Sequence, residues 1–264
     1  MVAVSSAAEP TSTPIPTIVR PIGIADLHWA LRCGWEDYRA RRGDLLLIGL
    51  IYPVVILVVA AIALNVELFP LLMPIAGGLA LLGPLLAVGF YELARRREEG
   101  RESDWSHFLD PFRGPSRGSI LVLGTVLAGF FCAWMWVAWQ IYEVTVGRLN
   151  PQGLDGFVTT LFTTSEGWML IVIGNLVGLI FAMVALTCGV VSFPMLVDKP
   201  VEATTAVETS LLVTRRNPLT VAIWGFYIAA ILAIACIPAF VGLAIALPVL
   251  GYASWHLYDR TIER

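Results

Sequence analysis

The stretch from Leu219 to Tyr258 contains no Asp, Glu, Lys or Arg over 40 consecutive residues. As a single helix it would measure about 60 Å, roughly twice the hydrocarbon thickness of a bilayer. Pro238 and Gly242 lie near its middle, and both residue types are typical of turns. We therefore predict two membrane helices joined by a tight turn at residues 237–242.

Further apolar runs extend this pattern along the chain. A helix that crosses a bilayer needs about 20 apolar residues, and the sequence supplies four more such runs. Only 14% of the residues are charged, whereas soluble domains carry about 25%. The fold class we predict is all-α, a polytopic membrane protein. Its six transmembrane helices are expected at about residues 45–64, 69–93, 120–142, 168–197, 219–236 and 240–258.

The basic residues give this arrangement an orientation. Sixteen of the 17 Lys and Arg residues fall on one side of the six predicted helices, and Arg148 is the exception. The positive-inside rule makes the basic side cytoplasmic. We therefore predict cytoplasmic N- and C-termini in a bacterial inner membrane. Residues 1–19 are rich in Ala, Ser, Thr and Pro and predict a disordered tail. Residues 20–264 then form a single membrane domain.

Three segments at the predicted cytoplasmic ends of the even-numbered helices resemble one another. They are VGFYELARRREE (88–99), VSFPMLVDKPVE (191–202) and YASWHLYDRTIE (252–263). This repeat predicts three helical hairpins arranged about an axis along the membrane normal. A polar segment precedes each hairpin, at residues 24–42, 102–113 and 200–217. The first has an amphipathic helical pattern, which predicts a helix in the membrane interface.

Polar residues within the predicted helices are the candidates for a site, because buried polarity is costly in a bilayer. Glu92 and His256 occupy the same position of the repeat. We predict a contact between them that pins the first hairpin to the third. Asn175 is predicted to be the most buried polar side chain, between Gly174 and Gly178 of a GxxxG pattern. That pattern leaves open internal packing, a homodimer seam or a substrate site.

The sequence contains no recognisable catalytic, cofactor or metal motif. None of the three histidines falls at the middle of a predicted span, which argues against haem ligated within the bilayer. The cluster DWSHFLD (104–110) could bind a metal but is more typical of a solvated face. We expect no catalytic residues, no cofactor and no metal. The partners we expect are the lipid bilayer and either a membrane protein or a second copy, with no nucleic acid.

Five stretches of the chain are distinctive: IYPVV (51–55), GPLLAVGFYELARRRE (83–98), GWMLIVIGNLVG (167–178), VVSFPMLVDK (190–199) and PVLGYASWHLYDR (248–260). Together they resemble a bacterial integral-membrane family, domain of unknown function 2189. The resemblance covers roughly residues 19–264 and implies a multi-pass inner-membrane protein. It supplies no activity or site residues. We therefore expect a non-enzymatic structural or partner-binding membrane component. The alternative is a small-molecule or lipid permease with a cavity between the hairpins.

Overall fold

The computed structural model describes residues 19–40, 54, 57–58, 61, 69–238 and 240–263. Within these ranges the chain is helical, with one isolated antiparallel bridge between Val19 and Ile262. The helices are α1 (Ile24–Ala40), α2 (Leu72–Leu81), α3 (Gly83–Leu86), α4 (Val88–Glu98), α5 (Arg117–Val144), α6 (Gly153–Thr163), α7 (Ser165–Gly189), α8 (Ser192–Asp198), α9 (Ala203–Arg216), α10 (Pro218–Cys236) and α11 (Leu243–Thr261). Short 3₁₀ turns lie at residues 69–71, 105–107, 110–112 and 146–149.

Two predicted regions fall largely outside the described residues. The tail predicted at residues 1–19 does so except for Val19, which is buried in the core. Most of the first predicted span, 45–64, also lies outside them. Of this span, residues 54, 57, 58 and 61 are described, and they are helical.

Three described segments are long and apolar enough to cross a membrane. They are Arg117–Val144, Ser165–Asp198 and Pro218–Cys236. They coincide with the third, fourth and fifth predicted spans. Short α6 lies in the connection between α5 and α7. The all-helical prediction therefore holds for the described residues, with three candidate spans among them.

The second and sixth predicted spans are not among the three candidate spans. The second is divided into α2, α3 and α4, with Pro84 at the start of α3, where a missing backbone N–H is tolerated. The sixth corresponds to α11, which follows the turn expected at residues 237–242. In this turn Phe240 has a positive φ of 65°. A Cβ on Gly242 would lie 2.6 Å from the Ala235 carbonyl oxygen, so only glycine fits.

The three matched segments of the repeat meet at one end of the bundle. Helices α4 and α8 and the last turns of α11 all contact one another. Phe90, Phe193 and Trp255, from the three segments in turn, are almost completely buried in their shared core. Tyr258 of α11 donates a hydrogen bond of 2.7 Å to Asp198 of α8. Because α4 also carries three consecutive arginines, we call this region the arginine-rich end.

Each matched segment also packs against one of the polar segments. Residues 102–113 pack on α4, α9 packs on α8, and α1 packs on α11. The second residue of each matched segment is small and lies at the contact. A Cβ on Gly89 would collide with the ring of Phe108, Ser192 donates to the Ala206 carbonyl at 3.1 Å, and Ala253 lies against Gly34. The arrangement is therefore cyclic, and α1 completes it by packing on the last helix.

Helix α1 packs closely against α11. A Cβ on Gly34 would lie 2.6 Å from the Val249 carbonyl oxygen, so the α1 and α11 backbones are nearly in contact. Leu27, Ala30, Gly34 and Tyr38 form the buried stripe of α1. Ile24 and Trp35, which the sequence pattern assigns to the apolar stripe, are exposed.

A strap of residues 19–22 leads into α1 and is held from two sides. Arg20 N–H donates to the Thr261 carbonyl at 2.8 Å, and its guanidinium pairs with Glu263 at 3.0 Å. On the other side, buried Asn217 accepts from Ile22 N–H at 2.9 Å and donates to the Arg20 carbonyl at 3.4 Å. The strap therefore joins the start of α10 to the end of α11.

Candidate functional site at the arginine-rich end

Glu92 is a buried carboxylate whose charge is neutralised by two neighbours on its own helix. Glu92 is 2% exposed. Arg95 donates to Oε2 at 2.7 Å and Arg96 donates to Oε1 at 2.6 Å. A buried charge with its hydrogen bonds made is stable, whereas one left without partners is costly. Both carboxylate oxygens are occupied, so Glu92 serves as an anchor for the two arginines.

The pairing continues from α4 into the segment 102–113. Arg96 Nη2 donates to Asp110 Oδ2 at 2.7 Å, and His107 Nδ1 lies 2.8 Å from the same oxygen. The cluster DWSHFLD therefore packs against α4 through Asp110. Within the described residues, no group of three or more His, Cys, Asp and Glu side chains could hold a metal ion.

His256 belongs to a second polar node, formed by three helices. Its Nε2 lies 2.7 Å from Asp37 Oδ2 on α1, and Arg97 of α4 pairs with the same carboxylate at 3.1 Å. Glu98 of α4 lies 3.7 Å from His256 Nδ1. Trp29 packs edge-on against the imidazole. His256 thus links α11 to both α1 and α4.

The expected Glu92–His256 contact is corrected by these pairings. The helix containing Glu92 does meet His256, but through Arg97 and Glu98, one and a half turns farther along α4. Glu92 itself is taken by Arg95 and Arg96. Sequence reasoning missed Asp37, because its pattern on α1 gives only an exposed polar face.

Asn175 is exposed rather than buried, which corrects the prediction for this residue. Its amide donates to the Ile171 carbonyl one turn earlier, at 2.7 Å. Gly178 lies against α5, since a Cβ there would be 3.1 Å from the Trp134 ring. A Cβ on Gly174 would have no atom within 4 Å. Of the GxxxG pair, only Gly178 packs within the described chain.

Asn217 has the role that the sequence assigns to Asn175. It is 6% exposed, and its side chain bonds to the strap and to the Val213 carbonyl. Asn217 lies at the junction of α9 and α10, directly before Pro218. The Asn-Pro pair and the preceding arginines mark a helix boundary. That signal locates the junction but does not show that the amide is buried.

An apolar groove lies beside the Glu92 network. Its volume is about 440 Å³, within the range of roughly 300–1,000 Å³ typical of small-molecule sites. Residues from α3, α4, the segment 102–113 and α5 line it: Leu85, Leu86, Gly89, Phe108, Leu109, Phe112, Ile120, Leu121, Gly124, Thr125 and Ala128. The Thr125 hydroxyl donates to the Leu121 carbonyl of its own helix at 2.8 Å. The groove therefore offers an apolar surface with its one hydroxyl already satisfied.

Cys33 of α1 lies close to the second node. Burial raises the pKa of its thiol, and the carboxylates of Glu36 and Asp37 raise that pKa further. The thiol is therefore held in its neutral form more strongly than a free cysteine would be.

Comparison with known proteins places the groove within a family segment. Residues 71–198 match the model of the family described as "Predicted integral membrane protein (DUF2189)". This segment is similar to that family over its matched length. The matched segment includes α4, the segment 102–113 and α5, and so the whole lining of the groove. The resemblance noted in the sequence is thus confirmed over residues 71–198. No curated protein and no solved structure matches the chain.

Proposed function

We propose that this protein is a non-enzymatic component of a bacterial inner membrane that binds an apolar partner in the groove beside α4. The observation that carries the proposal is the groove itself, where three residues of a polar segment, Phe108, Leu109 and Phe112, form an apolar wall. Leu109 and Leu121 on its rim are 53% and 56% exposed. An open apolar surface rimmed by polar residues is typical of binding sites.

The rest of the arginine-rich end supports a binding role over a catalytic one. The side chains of Glu92 and Asp37 are only 3% and 13% exposed, and each carboxylate is already paired with arginine. A general acid or base needs a titratable group within reach of a substrate. The paired carboxylates favour a fixed scaffold around the groove.

The permease alternative has less support. It calls for a polar cavity at mid-depth near Asn175, but this amide lies on an exposed face and bonds within its own helix. The groove is instead apolar and lies beside the first half of α5. These features favour a bound partner over a polar pathway between the helices.

Photo-crosslinking in native membranes tests the proposal. Benzoylphenylalanine placed at Leu109 should yield one discrete adduct. The same group at Val172 of α7, which has the same 53% exposure, should yield only a broad mixture of bilayer lipids. Ala128→Phe fills the groove from an exposed position and should abolish the Leu109 adduct. Ala133→Phe, exposed on the same helix outside the groove, should leave it unchanged. Identical adducts at Leu109 and Val172 would rule out a groove-specific partner.

Orientation forms part of the same proposal. With the arginine-rich end in the cytoplasm, reporter fusions after Arg97 and after Arg264 should both read cytoplasmic. A fusion near Gly153 should read external. An external reading after Arg264 would contradict the six-span arrangement, in which both ends of the chain face the cytoplasm.

A further inference from the structure

We propose that the occupant of the groove is an acyl chain of an anionic phospholipid, whose phosphate binds Arg113 and Arg117. This inference rests on the proposed function, because it names the partner of the same groove. It combines two independent features: the apolar lining and the charge at one end of it.

Part of the groove lining lies on a helix that is a candidate membrane span. Ile120 to Ala128 lie in the first half of α5, one of the candidate membrane spans. Next to the rim residue Leu121, Val122 is 58% exposed on α5. The groove is therefore open on the side where lipid would lie, and an acyl chain can enter without crossing a polar barrier.

The arginines around the groove fall into two groups. Arg95, Arg96, Arg97 and Arg101 all pair with carboxylates. Arg113 and Arg117 are exposed, and neither forms an ion pair with any residue in the described part of the chain. Their guanidinium groups carry charges that the described carboxylates leave uncompensated.

Both arginines lie close in the chain to residues that line the groove. Arg113 directly follows the lining residue Phe112. Arg117 begins α5 and lies one turn before Leu121, on the same side of the helix. Guanidinium groups bind phosphate through paired hydrogen bonds, and basic residues at a membrane surface attract anionic lipids. Trp105, 63% exposed, is of the residue type enriched at membrane interfaces.

Native mass spectrometry of the full chain in detergent tests this assignment, with phosphatidylglycerol and phosphatidylcholine as probes. The wild-type protein should bind phosphatidylglycerol more tightly than phosphatidylcholine by roughly 10- to 30-fold, the effect expected of two surface arginines. The double variant Arg113→Gln/Arg117→Gln should lose this preference while keeping its phosphatidylcholine binding. Arg148→Gln, which removes an exposed arginine at a distance from the groove in sequence, should keep the preference.

The groove is tested separately from the charge. Ala128→Phe should weaken the binding of both lipids, and Ala133→Phe should not. Equal affinities for the two lipids in the wild-type protein, or an unchanged preference in the arginine double variant, would overturn the lipid assignment. If the Leu109 crosslink then captures one defined protein segment, the proposed binding function stands and only the identity of its partner changes. If Leu109 and Val172 give the same adducts, the binding function itself fails.

Discussion

Helix α7 and the polar network at the arginine-rich end differ in which side chains they bury: α7 leaves apolar side chains exposed, whereas the network buries polar ones. In the candidate span formed by α7 and α8, only 6% of the most apolar window is buried. The polar network around α4, α1 and the end of α11 is largely buried: Glu92 is 2% exposed, and the side chains of His256 and Asp37 are 12% and 13% exposed. The most apolar of the three candidate spans therefore faces outward, whereas buried polar residues contact one another.

The comparison shows where the fold is specified. An apolar helix face that points outward can contact lipid in any orientation, so it does not select a particular neighbouring helix. Hydrogen bonds and ion pairs need defined partners at defined distances, so each one selects a particular contact. We infer that the arginine-rich end sets which helices meet, while α7 contributes an apolar surface.

The largest expected effect tests the buried carboxylate. Glu92→Gln removes the charge that compensates Arg95 and Arg96, and should lower the free energy of unfolding by about 3 kcal/mol. Glu99→Gln is the matched control, because Glu99 also pairs with Arg95 but is 41% exposed, and should cost only about 0–1 kcal/mol. Thermal unfolding in detergent, followed by circular dichroism, measures both. Equal losses would mean that burial of Glu92 contributes nothing special.

A second pair of variants compares glycines in the two regions. Gly34→Ala should destabilise the protein by about 1–3 kcal/mol, because its Cβ would meet the α11 backbone at 2.6 Å. Gly174→Ala on α7 has open space around it. It should be neutral or stabilising by up to about 1 kcal/mol, since alanine favours a helix. Thermal unfolding in detergent, followed by circular dichroism, measures the stability of both variants. Loss of stability in both variants would show that Gly174 also packs against a partner, for example a second copy.

The two asparagines make a third pair. Asn217→Leu leaves the Ile22 N–H and the Arg20 carbonyl of the strap without their partner, and should cost about 1–3 kcal/mol. Asn175→Leu on α7 replaces an exposed amide that bonds within its own helix, and should change stability by less than about 0.5 kcal/mol. Hydrogen exchange of α1 should accelerate in the first variant alone. Unchanged exchange in Asn217→Leu would show that the strap is held without this side chain.

The smallest effect concerns the thiol of Cys33. Its raised pKa means less thiolate at neutral pH, so alkylation in the folded protein should be slower than in the unfolded chain and should accelerate at higher pH than for a free cysteine. To measure the alkylation of Cys33 alone, the other cysteines are replaced in the variant Cys132→Ala/Cys188→Ala/Cys236→Ala. Glu36→Gln in this background should lower the pKa slightly. A Cys33 alkylation profile identical to that of the unfolded chain would contradict the burial of this thiol.

Long apolar runs and turn residues allowed several elements to be predicted. The three candidate spans and the turn at residues 237–242 follow from such signals. The face presented by α7 could not be predicted, because the helix is apolar all round and its pattern favours no side. Asn175 was therefore assigned to the wrong side.

The partner of His256 required information that the repeat does not contain. Aligning the matched segments places Glu92 and His256 at equivalent positions, which shows that their helices meet at the same end. It does not reveal that α1 packs on α11 and supplies Asp37 to His256. That contact joins residues 219 positions apart in the chain. The groove was equally inaccessible, since its walls come from four separate elements.

The cyclic packing has a consequence for how the molecule is made. Among the described helices, α1 is synthesised before all the others and α11, on which it packs, after all the others. The partner of Arg20, Glu263, lies 243 residues downstream. Until α11 is made, the face of α1 that carries Leu27 and Tyr38 lacks the helix on which it packs in the folded chain. We infer that the arginine-rich end closes only in a chain translated through α11.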